Sequence, residues 1–342
     1  MRPPQLKSLL DRYGAAAVLI YAVLALGFFG RSLGDGLSAA HLGRGPDPAF
    51  FMWLLVWWPH ALAHHENPFL SPNVWAPSGF NLAWETGIPL ASILMAPLTK
   101  GLGVVASYNL LCMLCPILAG WSGYILTRHL GARWPAALIA GYIFGFSPYM
   151  LGQMLGGHPT LMLVFPVPLF LLLGLKAYEG AITPATFGAI AIVLIVTQFL
   201  FSAEVAATME GFAALALLLA WYSASAVERA GIGKLMLSLI LANLGAAVLL
   251  LPYLYSMFAH GVPPTPINSP VAYSTDLVNF VVPTPTALIG VTAPLKAITE
   301  RFSGNFGEAG GYIALPLLVI VALYACAHWS ETAPRLLLLM LA

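Results

Sequence analysis

The stretch GPDPAFFMWLLVWWPHALAHH, residues 45–65, decides the fold because it is strongly apolar and yet poorly suited to crossing a membrane. Its apolar part is shorter than the roughly 20 residues that a transmembrane helix needs. Trp53, Trp57 and Trp58 favour the headgroup zone, and the histidines at 60, 64 and 65 make the far end polar. The pattern predicts a helix that lies in the membrane interface and is entered through Gly-Pro-Asp-Pro.

The composition of the whole chain places this helix in a membrane protein. Of 342 residues, 60% are hydrophobic and only 8% are charged, whereas a soluble domain has roughly 25% charged residues. Fourteen Lys and Arg against thirteen Asp and Glu leave a net charge of +1. These values exclude an ordinary soluble enzyme, a disordered tail and a nucleic-acid binder with a basic face.

Eight other stretches resemble transmembrane helices in length and hydropathy. They are residues 14–30, 104–127, 134–150, 160–175, 184–201, 205–222, 235–258 and 311–328. A ninth begins at Leu336 and meets the end of the chain, so we expect the chain to stop within a span. The sequence predicts an all-α fold, a polytopic bundle of about eight or nine spans that forms one domain over residues 1–342.

The basic residues between the spans predict the orientation of the chain. With a cytoplasmic N-terminus, the short inner segments carry Arg2, Lys7, Arg12, Arg128, Arg133, Lys176, Arg229, Lys234 and Arg335. The outer side then carries Arg31, Arg44, Lys100, Lys296 and Arg301, spread over two long loops at 31–103 and 259–310. Because inner loops are enriched in Lys and Arg, both long loops are expected outside. Long loops usually carry function, so chemistry is expected on the extracytoplasmic side.

Asp47 is the first candidate for that chemistry. Pro48 begins the interfacial helix, so Asp47 falls at or near its N-cap, where a carboxylate accepts hydrogen bonds from free amides. A carboxylate held at the membrane surface is equally what a general base requires. Both roles are open from the sequence alone.

Other ionisable residues are expected on the same side. Glu85 precedes a second short helix over 88–100, His158 lies in the segment GQMLGGHPT at the outer end of a span, and Glu204 lies where two spans meet. Glu210 lies deeper, where an ionisable group normally faces a cavity or pairs with a polar residue of the bundle. Both alternatives stay open for Glu210.

Metal-binding patterns are weak in this sequence. His60 and His64 share a helix face, as two metal ligands would, but no carboxylate has the spacing of a metal motif. Histidines of an interfacial helix are the alternative. Cys112 and Cys115 lie inside an apolar run and are interpreted as helix-packing residues. We therefore predict no metal site, although a divalent metal stays open as a cofactor.

The last long loop carries Asp276, Lys296, Arg301 and Glu308 between proline breaks. Cations near a membrane surface are suited to binding a lipid phosphate. Solvated loop charges are the alternative, and the sequence does not separate the two.

The order of these parts resembles the GT-C superfamily of integral-membrane glycosyltransferases. The resemblance rests on one span followed by a long outer loop with an early Asp, and then on further segments. These are GPDPAFFMW, WWPHALAHHENPF, PSGFNLAWETGIPL, APLTKGLGVVASYNLL, FSPYMLGQMLGGHP and FGEAGGYIALPLL. They are similar to segments of bacterial members and cover most of residues 30–320.

The resemblance implies a site, substrates and a location. Asp47 would be the catalytic base of an inverting transfer, and Arg44, Lys296 and Arg301 would bind the donor phosphate. His60, Glu85, His158, Glu204, Asp276 and Glu308 would complete the substrate site. The donor would be a polyprenyl-phosphate sugar and the acceptor a lipid or glycan hydroxyl, at the periplasmic face of a bacterial inner membrane. Many relatives carry two adjacent acids at this point, whereas here a proline follows Asp47.

Two other functional classes remain open. A transporter or flippase of lipid-linked substrates would place polar sites near the bilayer midplane and often shows internal repeats. No repeat is visible here, and Glu210 is the main charge at mid-depth. A non-catalytic assembly partner of an enzyme is the third class.

Overall fold

The computed structural model describes residues 12–261, 269–331 and 335. Helices dominate this part of the chain. They are α1 Arg12–Phe29, α2 Asp47–Ala63, α3 Pro89–Leu102, α4 Val104–His129, α5 Trp134–Gly145, α6 Pro148–Gly156, α7 Pro159–Met162, α8 Pro166–Tyr178, α9 Pro184–Phe201, α10 Ala203–Ser223, α11 Ala226–Leu249, α12 Leu251–Ala259, α13 Ala293–Thr299 and α14 Leu315–Ala327. Short 3-10 helices cover Gly30–Leu33, Leu82–Trp84, Leu277–Phe280, Leu288–Val291 and Glu308–Gly310. Two-residue strands, β1 Leu70–Ser71 and β2 Phe80–Asn81, pair antiparallel in the first long loop.

Seven helical segments of the described residues are long and apolar enough to cross a membrane. They are Tyr13–Leu33, Val104–His129, Trp134–Gly156, Pro159–Tyr178, Pro184–Phe201, Ala203–Ser223 and Ala226–Leu249. The predicted polytopic all-α bundle is confirmed at this level. The eighth predicted span, 311–328, is the 13-residue helix α14, which is shorter than a span. The stretch from Leu336, and the predicted inner residues Arg2 and Lys7, lie outside the described residues.

Prolines start many of these helices and break two predicted spans. The stretch predicted as one span over 134–150 is divided between α5 and α6, and Pro148 opens α6 after the cap Ser147. Pro166 likewise separates α8 from the short helix α7. Proline is tolerated at a helix start because its missing N–H would have no partner there.

The predicted span 235–258 is wrong at both ends. Its helix, α11, begins at Ala226, because Ser225 and Glu228 form a capping box ahead of the apolar run. The helix ends at Leu249, and Pro252 then starts the separate helix α12. The apolar run alone gave no sign of this polar first turn.

Helix α4 lies at the centre of the main core. Its buried face packs against α1, α5 and α8, and small residues allow a close approach to α5. A Cβ on Gly145 would lie 2.5 Å from the Pro116 carbonyl oxygen, which explains why a glycine stands there. Cys112 and Cys115 are fully buried in this core, as their interpretation as packing residues requires.

The first long loop folds onto this core and is not a free linker. The predicted helices at its two ends form as α2 and α3, and α2 buries Leu54, Leu55 and Trp58. The indole of Trp84 donates to the Met257 carbonyl at 2.6 Å, which ties the loop to α12. That α2 lies in a membrane interface stays a prediction.

Candidate active site

Asp47 and His158 form a close pair. Asp47 Oδ2 lies 2.6 Å from His158 Nε2, although the two residues are 111 positions apart. The side chain of Asp47 is 49% exposed and that of His158 is 20% exposed, so the pair lies at an open edge. The pair joins two residues that sequence reasoning had singled out separately.

Asp47 does not cap a helix in the way that the simpler interpretation expects. Helix α2 begins at Asp47 itself, and Pro46 occupies the N-cap position. Within the described ranges, no backbone amide donates to the Asp47 carboxylate, and Oδ1 has no hydrogen-bond partner. The carboxylate therefore has one oxygen bound to His158 and one oxygen available to another molecule.

Helix α4 positions the chain that leads to Asp47. Asn109 Oδ1 accepts from the Leu42 amide at 2.8 Å, and its Nδ2 donates to the carbonyls of Leu37 and Ala40 at 2.8 Å each. The Arg44 amide then donates to the Leu155 carbonyl of α6 at 2.8 Å. The buried Asn109 amide thus holds the approach to α2 against α4, and the backbone hydrogen bond of Arg44 ties it to the end of α6.

Gly157 brings α6 close to α2. It ends α6 in the left-handed conformation, with φ of 73°. A Cβ there would lie 2.5 Å from Pro48 Cγ and 2.7 Å from the Tyr108 hydroxyl oxygen, so the junction has room only for glycine. The Tyr108 hydroxyl donates to the Gly157 carbonyl at 3.0 Å. His158 follows directly and is thereby placed beside the first residue of α2.

Gln153 is a third member of the cluster, and sequence reasoning missed it. Its Oε1 lies 2.7 Å from His158 Nδ1, and its Nε2 donates to the Gly307 carbonyl at 3.2 Å. The side chain is buried in α6. The only local signal was a polar amide in GQMLGGHPT, five residues before His158, and Gly307 lies in the other long loop.

Electrostatic interactions connect three more carboxylates to the pair, directly or through one another. Burial raises the pKa of Glu85 above its ordinary value of 4.5, and the nearby charge of Asp47 raises that pKa further. Burial also raises the pKa of Glu308, while His158 lowers it and Glu204 raises it. This electrostatic network contains four of the predicted acids, Asp47, Glu85, Glu204 and Glu308, together with His158.

A groove of about 400 Å³ borders this cluster. Its polar end is formed by Gln153, Gly307 and Glu308, and most of its wall is apolar. The apolar side chains come from α5 and α14 and from the last long loop, and include Ile143, Phe280, Ile313 and Leu317. The groove therefore joins an apolar wall to the charged cluster.

Comparison with known protein families gives one match. Residues 17–341 match a family model described as "Domain of unknown function (DUF6311)". The chain belongs to the DUF6311 family. No curated protein and no solved structure matches it. The matched residues of this DUF6311 chain include every member of the cluster.

The predicted cations are not all near the pair. The Arg44 side chain is exposed and stands three residues before Asp47, in a backbone tied to α6. Lys296 Nζ lies 3.8 Å from Glu300 Oε1 on the exposed face of α13, and Arg301 is exposed just beyond it. No contact in the described ranges ties Lys296 or Arg301 to the Asp47–His158 pair. Arg44 is the predicted cation that the fold keeps beside it.

Two further predicted site residues make local contacts elsewhere in this DUF6311 protein. Asp276 Oδ2 accepts from the Ser303 amide at 2.9 Å and so closes the last long loop on itself. The His60 ring packs against that of His64, with centroids 4.1 Å apart, and its Nε2 lies 3.9 Å from Glu66 Oε1. Neither residue contacts the Asp47–His158 pair.

Two questions from the sequence remain, the partner of Glu210 and the presence of a metal site. Asn243 Nδ2 donates to Glu210 Oε2 at 2.9 Å between α10 and α11, as one of the two alternatives for Glu210 expects. Carboxylate oxygens suit Mg²⁺ and Mn²⁺, but in residues 12–261 and 269–331 no group of three or more His, Cys, Asp or Glu is placed to hold a metal ion.

Proposed function

We propose that this protein is an integral-membrane glycosyltransferase that moves a sugar from a polyprenyl-phosphate donor to an extracytoplasmic hydroxyl group. One observation carries the proposal. The Asp47 carboxylate is bound through Oδ2 to His158 and keeps Oδ1 available, and His158 contacts Gln153, which lines a groove with an apolar wall. A carboxylate base close to a partly apolar groove suits this transfer.

In this mechanism Asp47 Oδ1 takes the proton of the acceptor hydroxyl. The hydroxyl oxygen forms a bond to the anomeric carbon, and the bond from that carbon to the phosphate oxygen breaks. The phosphate leaves with the electron pair of that bond, so it needs no proton from a second acid, unlike the leaving group in glycoside hydrolysis. Attack from the side opposite the phosphate inverts the configuration of the sugar.

The groove supports a lipid-linked donor. Its apolar wall, with Phe280 and Leu317, suits a polyprenyl chain, and its polar end at Glu308 and Gln153 suits the sugar. Arg44 is the cation best placed for the donor phosphate, because charge-assisted hydrogen bonds to phosphate favour Arg. This assignment replaces Lys296 and Arg301 as the first candidates.

The proposal also agrees with the predicted orientation. Asp47 and Glu85 lie in the first long loop, Glu204 lies where two spans meet and Glu308 lies in the last long loop. The charge pattern assigns these three segments to the outer side. His129 and Glu179, from turns assigned to the inner side, pair with each other at 3.1 Å. The helix packing and the predicted topology are therefore mutually consistent.

The test is an in vitro transfer assay with a panel of polyprenyl-phosphate sugars, comparing wild type with Asp47→Asn. Loss of a general base typically slows a reaction by about 10²–10⁴-fold, so we expect turnover to fall at least a hundredfold while the protein still binds donor. Asp35→Asn is the matched control, since Asp35 is an exposed Asp of the same loop. It should keep wild-type turnover.

Two results would contradict the proposal. Asp47→Asn with more than half of wild-type turnover, together with inactive Glu85→Gln or Glu204→Gln, would move the base to another carboxylate. Absence of transfer with every donor, together with movement of a lipid-linked sugar across liposomes, would instead favour a flippase.

A further inference from the structure

Both polar atoms of the Gln153 side-chain amide have hydrogen-bond partners within the protein. Its side chain is 3% exposed. Nε2 donates to the Gly307 carbonyl at 3.2 Å, and Oε1 faces His158 Nδ1 at 2.7 Å. Asn305 in turn holds Gly307, because Asn305 Oδ1 accepts from the Gly307 amide at 2.8 Å.

These contacts determine which way the amide points. A backbone carbonyl oxygen can only accept, so the group of Gln153 that faces Gly307 must be the NH₂. The oxygen of the amide must then face His158. An amide oxygen also only accepts, and the facing ring nitrogen, Nδ1, must therefore carry a hydrogen.

The other ring nitrogen faces an acceptor as well. With a hydrogen on Nδ1, a neutral His158 would present a lone pair from Nε2 to Asp47 Oδ2. The two atoms are 2.6 Å apart, and two lone pairs at that distance repel each other. A proton must lie between Nε2 and Oδ2 to make this contact a hydrogen bond.

We propose that Gln153 is a positioning residue that keeps a hydrogen on His158 Nδ1 and thereby makes His158 and Asp47 hold one further proton between them. Without an acceptor at Nδ1, His158 could move its single hydrogen to Nε2 and donate to Asp47 as a neutral ring. Gln153 makes that alternative costly, because Oε1 would then face a lone pair.

The catalytic consequence rests on the proposed function. An Asp47 carboxylate bound to an imidazolium keeps its acceptor oxygen, Oδ1, fixed for the incoming hydroxyl. The charged groups around the ring are Asp47 from α2 and Glu308 from the last long loop, with Glu204 beyond Glu308.

The test is ¹⁵N NMR of selectively labelled histidine in the detergent-solubilised protein over a range of pH. The His158 signals are identified by their loss in His158→Gln. Gln153→Met removes the acceptor at nearly constant volume, whereas Gln153→Glu keeps an acceptor oxygen toward Nδ1. Gln198→Met is the matched control, because Gln198 is another fully buried Gln that donates to a backbone carbonyl, that of Leu163 at 3.2 Å.

We expect Nδ1 of His158 to stay protonated throughout the titration in wild type, Gln153→Glu and Gln198→Met. In Gln153→Met the neutral ring should carry its hydrogen on Nε2, and the midpoint of the ring titration should move to lower pH by about one pH unit or more, the equivalent of one lost hydrogen bond to a charged group. The acid limb of the pH–rate profile should move with it.

A neutral wild-type His158 with its hydrogen on Nε2 would overturn the inference, and this observation needs no variant to fold. An unchanged Nδ1 signal in Gln153→Met would overturn it as well. Both readings are independent of the transfer assay. An inactive enzyme with the expected NMR signals would contradict the proposed function and leave the role of Gln153 standing.

Discussion

At the scale of single residues, the carboxyl group of Glu308 couples protonation to stability. Its pKa is raised above 4.5 mainly by burial, so the folded protein binds this proton more tightly than the unfolded chain does. Stability from this group is complete below the ordinary pKa and is lost as the pH rises through the raised value.

Replacing Glu308 should therefore flatten the dependence of stability on pH. We expect Glu308→Gln to lose part of the fall in thermal midpoint that wild type shows with rising pH, measured in detergent between about pH 4 and pH 8. Glu300→Gln is the control, since Glu300 is exposed in the same loop. A Glu308→Gln curve that keeps the wild-type slope would show that burial of this carboxyl has no energetic effect.

Sequence reasoning found the residues whose immediate neighbours in the chain mark them out. It missed the residue whose role depends on a distant part of the chain. Asp47 between two prolines and His158 at a helix end stand out from their neighbours alone. Gln153 does not, because its role depends on a carbonyl 154 positions away. The pairing of Asp47 with His158 was equally hidden, since only the folded chain brings α2 beside α6.

At the scale of elements, the contact between α6 and α2 is the junction on which the site depends. It is close because Gly157 has no side chain to separate Pro48 from the end of α6. Gly180 provides a comparison, because it has nearly the same φ of 71° but nothing within 4 Å of a notional Cβ.

Alanine at these two glycines should separate backbone strain from steric conflict. A residue with a Cβ in the left-handed region costs about 1–3 kcal/mol at either site, and overpacking adds about 1–3 kcal/mol at position 157 only. We expect Gly157→Ala to lower the thermal midpoint more than Gly180→Ala and to reduce transfer. Equal thermal midpoints for the two variants would mean that α2 and α6 can move apart at position 157 without loss of stability.

Some of the points at which predicted spans divide into two helices have a signal in the sequence. Ser147-Pro148 combines an N-cap residue with a proline at the first helical position, which is a start signal inside the predicted span 134–150. A continuous apolar run concealed it, because hydropathy alone does not distinguish one helix from two. The start of α11 was missed because its first turns, which follow the capping box, are charged and were not counted as part of the apolar span.

At the scale of the whole molecule, the site draws on segments from both long loops and from the ends of the bundle helices. The helical class and most spans could be predicted, because hydropathy depends on each stretch by itself. Helix packing determines which residues meet in the site, and packing cannot be predicted from any one stretch. The residues that meet here are Asp47, His158, Gln153 and Glu308. The predicted orientation connects the two levels, because it assigns Asp47, His158 and Glu308 to the same side of the membrane.

The orientation can be measured with single cysteines and an impermeant thiol reagent in whole cells. In a variant with Cys326 replaced, we expect labelling at Asn73→Cys and Ala293→Cys in the two long loops, which are exposed positions. Ala181→Cys, in the turn between α8 and α9, should react only after permeabilisation. The reverse pattern would place the Asp47–His158 pair in the cytoplasm and contradict the proposed periplasmic acceptor.

The bond from Gln153 to Gly307 also has a consequence for biosynthesis. A nascent chain that has been inserted as far as α11 already contains Asp47, His158 and Gln153, but the carbonyl that orients the Gln153 amide has not yet been translated. The three residues can meet earlier, yet their hydrogen-bond directions are settled only when the last long loop is made. Maturation of the Asp47–His158 pair is therefore a late event of synthesis, and a ribosome stalled before that loop leaves an inserted but immature protein.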